Sequence, residues 1–315
     1  MDNLTHSLAG AILGQMGLKR KTGLAMPTLI IAANLPDIDA FAVLLGGHQH
    51  LAIRRGITHG PIALLVLPLL LWAAMLAWDK WRPSEKRLPV HKGWLFGLAY
   101  IGCLSHPALD WLNNYGIRLL EPFSSQWFYG DTIFIIDIWI WVALALSVWI
   151  SLRRERRGQG SWTRPAWVGF TAICAYIFAN GLITERAERL TAEQVERQFG
   201  TKADLVVANA VPLQFWKRDM QWRDAKFRGY GWFTMPNDLL VSGKRVPHGM
   251  DDPRVAEAVR GYPDGAAYLF WSRMPVATVE GQGDERQLVI SDQRFGDPRV
   301  RDRFTVSIPW KGRGE

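Results

Sequence analysis

Four runs of this 315-residue chain, 61–78, 94–112, 133–152 and 166–184, are long and apolar enough to cross a bilayer or nearly so. Backbone in hydrocarbon must satisfy its own hydrogen bonds, so runs of this length read as helices. A fifth run, 24–45, has the length but carries Asn34, Pro36, Asp37 and Asp39. A sixth, 4–17, is short, includes His6, and reads as a half-span or an interfacial helix. The expectation is an α-helical polytopic membrane domain of about five to six apolar segments over residues 1–184. It is followed at 185–315 by a small, mainly β (α+β) soluble domain.

Charge separates the two parts. Residues 1–184 hold 26 charged side chains and residues 185–315 hold 40, and the net charge of +8 divides as +6 and +2. The excess in the first part lies in clusters at the ends of apolar runs: Lys19–Lys21, then Lys80, Arg82, Lys86, Arg87 and Lys92, then Arg153, Arg154, Arg156 and Arg157. These three loops alternate so that all can be cytoplasmic, which puts the tail outside the cytoplasm. Arg54 and Arg55 are the one conflict with that count. A basic stripe in a nucleic-acid motif is absent, so no direct nucleic-acid binding is expected. The two cysteines, Cys103 and Cys174, lie in apolar runs and form no framework. In the tail, period-two patterning and turn signals suggest strands at 204–210, 213–216, 267–271, 287–291 and 304–309, with Asp264-Gly265 as a turn. Residues 192–199 read as helix.

Six of the seven histidines precede residue 107, in company with acids inside the apolar runs. An ionisable group near the bilayer centre costs about 2.5–3.5 kcal/mol on insertion scales, so several of them need a compensating partner. A divalent cation supplies one. His106 and Asp110 are four residues apart and share one helix face. Asp37 and Asp39 follow Pro36, where helical geometry changes, and His59 follows a glycine-containing turn. With the orientation above, all of them fall at one membrane depth, and His6 joins them if the first segment starts on that side. Singly, His106–Asp110 is equally well a helix-stabilising pair and Asp37 a cap. Mixed His/Asp donors without Cys suit zinc, with manganese or iron as substitutes. His48 and His50 read as solvated, His91 as part of a basic loop, and His248 as a surface residue. Asp131 and Asp137 read as caps or lining of the outer mouth.

At Thr5-His6, Pro36-Asp37-Ile38-Asp39, Arg55-Gly56-Ile57-Thr58-His59 and His106-Pro107-Ala108-Leu109-Asp110 the chain resembles the YdjM-like family, described as LexA-binding, inner-membrane-associated metal-dependent hydrolases. The resemblance covers about the first 180 residues. The order of the motifs is also similar to the zinc-dependent phospholipase C group. That likeness implies that one Asp of the 37/39 pair, His59, His106 and Asp110 hold one metal, and that His6, with Asp110 bridging, holds a second. No later His/Glu pair matches the remaining ligands of that group, which leaves one or two ions, Zn²⁺ first among them.

The leading expectation is a multi-pass protein of the bacterial inner membrane with a periplasmic C-terminal domain. It would hydrolyse a phosphoester or other ester in a lipid or lipid-linked substrate. Metal would activate water, and one Asp of the 37/39 pair would act as general base, with Asp37, directly after Pro36, favoured as ligand and Asp39 as base or orienting group; Arg54 and Arg55 would hold an anionic head group. The rival is a non-enzymatic, metal-stabilised scaffold with a protein partner of the LexA-binding kind. A third reading, an ion transporter, is disfavoured because the groups gather at one end of the membrane.

Overall fold

Helix α1 (Asn3–Gln15) opens on Asp2, whose carboxylate accepts the amides of Leu4 and Thr5 at 3.0 and 3.1 Å and so satisfies two of the donors a helix start leaves open. The computed structural model describes residues 1–282, 285–296 and 304–310. They divide into two units. The first comprises Met1–Asp39, Arg55–Gly181 and Pro212–Phe215; the second comprises Ala40–Arg54, Leu182–Val211 and the chain from Trp216 on.

The first unit is helical. After α1 come α2 (Ala25–Asn34), α4 (Pro61–Trp81), α5 (Lys92–Asp110), α6 (Ile138–Arg156) and the start of α7 (Arg164–Phe199). A 3₁₀ segment, Leu35–Leu45, continues α2; its residues from Ala40 on and the short helix α3 (Gln49–Ile53), which precedes α4 in the chain, belong to the second unit. Three helical stretches among the described residues are long and apolar enough to cross a membrane: Ala25–Leu45, Pro61–Trp81 and Arg164–Phe199. The expectation of five to six is corrected to these three. The runs at 94–112 and 133–152 do form helices of 19 residues, α5 and α6. However, α5 carries Lys92, His106 and Asp110, and α6 ends in Arg153-Arg154-Glu155-Arg156. The 13 residues of α1 extend only about 20 Å at 1.5 Å per residue.

Small residues let α2 lie in the middle. A Cβ added at Gly10 of α1 would stand 2.7 Å from the Leu29 carbonyl oxygen, and one at Gly102 of α5 would stand 2.7 Å from Ala32 Cβ and 2.9 Å from the same carbonyl. Both helices therefore approach one turn of α2 at backbone distance, the packing that glycine permits between membrane helices. Around this contact Ala25, Leu29 and Leu98 form one apolar cluster, and Ala32, Leu71, Met75, Leu95, Ala99 and Cys103 form another. A third joins Ile12, Ile133, Ile140, Leu144, Ala166 and Ile173.

The second unit is built on sheets. Strands β1 (Leu205–Val211), β2 (Gln214–Arg223), β3 (Phe227–Thr234) and β4 (Asp238–Val241) are neighbours in that order, and β5 (Val246–Pro247) pairs with β3. The latter half of α7 supplies Ile183 and Ala187 to a core with Ala208, Met220 and Phe233. Strand β3 lacks clean alternation because two glycines interrupt it. Gly229 sits under the Trp222 ring and Gly231 against the Leu240 carbonyl, close approaches that explain glycine inside a strand. A second, antiparallel sheet holds β6 (Pro275–Glu280), β7 (Gln287–Asp292) and β8 (Thr305–Pro309).

Residues 267–271, expected as strand, lie instead in helix α9 (Pro263–Trp271), which follows α8 (Pro253–Arg260). Pro263 presets the first helical φ. Burial of Gly265, Tyr268 and Trp271 then follows a three-residue step rather than alternation. The Asp264-Gly265 pair is thus the first turn of a helix, with Gly265 close to Ile308. His248 is a further correction: it is 3% exposed, and its ring contacts the Ala225 carbonyl and the Met250 amide.

Asp292 at the end of β7 accepts from Arg294 at 2.8 and 2.9 Å, from the Ser272 hydroxyl at 2.6 Å and from the Arg273 amide at 2.9 Å. Burial raises the pKa of this carboxyl, but the Arg294 charge and the hydrogen bonds outweigh it and hold the group below the usual range. A depressed carboxylate pKa stabilises the fold above its unfolded value of about 3.9, and the contribution disappears as pH falls through the folded value.

Two outcomes are expected. In detergent, Gly102→Val lowers the melting temperature of the full-length protein, since overpacking costs about 1–3 kcal/mol. Gly97→Ala, where a Cβ meets nothing within 4 Å, does not lower it. Asp292→Asn destabilises by about 3–5 kcal/mol by stranding a buried guanidinium, and it flattens the acid limb of the stability–pH curve below about pH 4. An unchanged acid limb would remove Asp292 as its source.

Candidate metal centre

Three interruptions of regular helix place the site. The first is Pro36. In the i→i+3 pattern of the 3₁₀ segment, the donor to the Ala33 carbonyl would be residue 36, and proline has none. That carbonyl accepts instead from Nδ1 of His106 at 2.7 Å. A carbonyl can only accept, so His106 carries its proton on Nδ1 and presents Nε2 as a lone pair.

The second interruption is the turn that leads into the 3₁₀ segment Ile57–His59. Arg55 there has φ +53°, a left-handed conformation unusual for a side chain of its size. It is held from several directions. Its amide donates to Asp39 Oδ2 at 2.7 Å, and its carbonyl accepts from the Arg118 amide at 2.9 Å. Its guanidinium reaches Asp110 Oδ1 at 3.1 Å, Asn113 Oδ1 at 3.0 Å and the Gly116 carbonyl at 3.3 Å, and lies over the Tyr115 ring. Strain kept in place by this many contacts is typical of functional sites.

The same turn sets the tautomer of His59. The Thr58 hydroxyl donates its one proton to Asp39 Oδ2 at 2.8 Å, and it lies 2.9 Å from His59 Nδ1. With that proton used, the hydroxyl oxygen must accept, so Nδ1 of His59 is the donor. Asp39 Oδ2, 3.4 Å from Nδ1, favours the same assignment. His59 therefore also presents Nε2 as a lone pair.

The third interruption is Pro107, which follows His106 within α5 and precedes Asp110 on the same face. His59 Nε2 and His106 Nε2 stand 3.1 Å apart. Asp110 Oδ2 lies 3.5 Å from the first and 3.6 Å from the second, and Asp37 Oδ1 is 3.7 Å from His106 Nε2. Ligand atoms of Asp37, His59, His106 and Asp110 all fall within 4.8 Å of one another, and together the four can hold a metal ion. Two lone pairs facing each other beside two carboxylates repel unless a cation lies among them. The donor set fits this demand: His59, His106 and Asp110 are fully buried and Asp37 is 9% exposed, with Arg55 Nε 3.0 Å from Asp110 Oδ2 as the one guanidinium at the cluster's edge.

The other expected residues stand around this cluster. His6 stacks on His106 at 3.7 Å with 18° between the planes, and its Nε2 is 3.4 Å from Asp110 Oδ1. It is fully buried with no hydrogen bond at either nitrogen, and it lies beside the four rather than among them. The Met1 amino group also contacts Asp110. Asp39 sits behind His59 and orients it. Arg55 is committed to Asp110 and is 3% exposed, whereas Arg54 is half-buried and belongs to the second unit. Asp137 caps α6 through the Ile140 amide at 3.0 Å, and His91 caps α5 through the Trp94 amide at 3.2 Å.

Motif spacing does not point to Asn113 or to the carbonyl of Ala33. Asn113 accepts from Arg55 and donates to the Asp110 carbonyl at 3.0 Å, so it fixes both partners of the buried ion pair. Its signal, in hindsight, is the three-residue step from Asp110. A backbone acceptor such as Ala33 leaves no signal except the proline three residues on.

The family model described as YdjM inner membrane protein matches residues 1–187, a stretch that includes all four motifs of the site. No curated protein and no solved structure matches the chain. With well over half of its length matched, the chain belongs to the YdjM inner membrane protein family.

Proposed function

We propose that the protein is a membrane-embedded, metal-dependent hydrolase acting on a phosphoester or other ester of a lipid or lipid-linked substrate. The observation that carries this reading is the pair of imidazole lone pairs 3.1 Å apart beside two carboxylates. Two nitrogen and two oxygen donors without sulfur suit Zn²⁺. Asp37, His59, His106 and Asp110 would hold one ion, and His6 beside Asp110 marks where a second would stand. When bound, the ion supplies Lewis acidity toward a phosphoryl or acyl oxygen and acidifies water.

The chain's own residues do the rest. Asp39 and Thr58 hold the His59 proton on Nδ1, and the Ala33 carbonyl holds that of His106, which keeps both Nε2 atoms as donors to metal. Arg55 neutralises Asp110 and fixes its rotamer. Asp37 sits at the more accessible edge, where a carboxylate can also take a proton from an incoming water. Exposed Ile38 and Ile57 adjoin Asp37 and Thr58 in sequence, an apolar surround suited to a substrate arriving from lipid.

Orientation rests on parity. With Lys19–Lys21 cytoplasmic, the stretches Ala25–Leu45, Pro61–Trp81 and Arg164–Phe199 return the 80–92 and 153–157 loops to the cytoplasm and send the C-terminal domain to the periplasm. Helices α5 and α6 come as a pair, so whether both cross or neither does leaves that result unchanged. Of the two exceptions to the charge count, Arg54 and Arg55, the second is neutralised by Asp110.

One observation favours the rival reading of a metal-stabilised scaffold. Three of the four donors are fully buried, and closed sites are the habit of structural metals. Metal analysis combined with a lipid phosphoester panel separates the two. For the enzyme, His59→Ala and His106→Ala lose both metal and hydrolysis. Asp39→Asn retains its metal with about 10–100-fold weaker affinity, as expected when an orienting partner of a ligand is lost. Metal-loaded wild type without any ester hydrolysis, but with a melting temperature that collapses on chelation, selects the scaffold. Full metal occupancy in both histidine variants removes the site altogether.

Reporter fusions test the orientation: after Arg157 they should report cytoplasm, and at Glu315 periplasm. A cytoplasmic signal at Glu315 would reverse the assignment and restore a cytoplasmic protein partner for the tail.

A further inference from the structure

Helix α6 has two faces of different character. Ile140, Leu144, Ser147 and Ser151 are buried at steps of three and four residues, and Ser151 is tied to Gln15 and to the Trp162 carbonyl. Away from that face run Val142, Leu146 and Trp149, which are 46%, 50% and 54% exposed. The exposed face continues into Leu152, Arg153, Arg156 and Arg157. Positions 149, 152, 153, 156 and 157 form one helical stripe, and together they line a half-open cavity of about 440 Å³.

The cationic end of the stripe is uncompensated. Glu155, the only acid in this last turn, is paired with Lys19. Among the described residues no carboxylate pairs with Arg153, Arg156 or Arg157. Arg153 lies over the Trp149 ring, 5.4 Å from its centroid, so the cavity's aromatic wall holds one guanidinium in place. Three forks on adjacent turns suit the oxygens of a phosphate, which arginine binds in bidentate fashion.

The apolar part of the stripe decides between a free phosphate and a lipid. From Val142 to Arg153 the helix rises about 16 Å at 1.5 Å per residue. That matches one leaflet, about half of the ~30 Å hydrocarbon thickness, a depth that does not require α6 to span the bilayer. An acyl chain laid along Val142, Leu146 and Trp149 would therefore bring its head group to the three arginines. A cluster needed only to orient the protein in the membrane would require the charge but no common helix face and no cavity.

We propose that this stripe is a binding site for one anionic phospholipid, with the head-group phosphate among Arg153, Arg156 and Arg157 and an acyl chain along Val142–Leu146–Trp149. The site shares no residue with the metal cluster and does not depend on its chemistry.

The test is native mass spectrometry of the full-length protein in detergent, titrated with phosphatidylglycerol, phosphatidylcholine or inorganic phosphate. One phosphatidylglycerol should bind in preference to phosphatidylcholine, and millimolar inorganic phosphate should not displace it. Arg156→Gln should weaken phosphatidylglycerol about fivefold, and the triple Gln variant at 153, 156 and 157 about a hundredfold, if each arginine near the surface contributes as juxtamembrane cations do. Arg154→Gln removes the same charge from the same turn but lies off the stripe, and it should leave affinity unchanged. If the triple variant fails to insert, the comparison of Arg156→Gln with Arg154→Gln decides. Equal losses in those two variants would reduce the site to bulk charge and overturn the proposal. So would equal binding of phosphatidylcholine, or displacement by inorganic phosphate.

Discussion

Two neutral imidazoles that point their lone pairs at each other across 3.1 Å, with two carboxylates alongside, are the constraint around which the helical unit is arranged. Each tautomer is imposed from behind, by a carbonyl in one case and by a hydroxyl–carboxylate pair in the other. Neither partner can be exchanged for an apolar group without releasing a ring nitrogen to the wrong proton. The groups behind the donors are therefore as much a part of the centre as the donors themselves. Membrane location sharpens this, since a half-satisfied polar cluster in a low-dielectric surround is costlier than in water.

The fold delivers these groups through defects in regular helix rather than through its regular parts. Pro36 leaves a carbonyl without its usual donor, the left-handed Arg55 turns the chain toward His59, and Pro107 interrupts α5 between two ligands. The regular parts do the opposite job. Glycines 10 and 102 seat α1 and α5 against one turn of α2, so that helices bearing His6, His106 and Asp110 meet at fixed separation. Close helix packing beside irregular turns that are themselves held by hydrogen bonds is a sound basis for a preorganised site.

Much of this was legible in the residues themselves. The apolar runs at 61–78 and 166–184, the break at Pro36, and the i,i+4 spacing of His106 and Asp110 each announce a local geometry. Helices α5 and α6 have the length of a span, but Lys92, His106 and Asp110 in the first and Arg153-Arg154-Glu155-Arg156 in the second lower their apolar character. Residues 267–271, Ala-Tyr-Leu-Phe-Trp, are apolar throughout and hold no true alternation, so periodicity cannot tell a buried strand from a short helix there. Of the two carboxylates after the break, Asp37 directly follows Pro36 and so reads as the ligand, which leaves Asp39 as an orienting group or a base. Only the positions of Thr58 and Arg55, set by a turn, decide that Asp39 lies behind His59.

The hydrogen bond from the Arg55 amide to Asp39 has a bearing on how this chain can change. It clasps the two ends of the segment 40–54, so the ligand-bearing stretches on either side are fixed to each other irrespective of what lies between. Closing a longer loop costs little, about 0.6 kcal/mol for each doubling of its length. The centre can thus keep its shape whatever the interval between Asp39 and Arg55 does as part of the second unit.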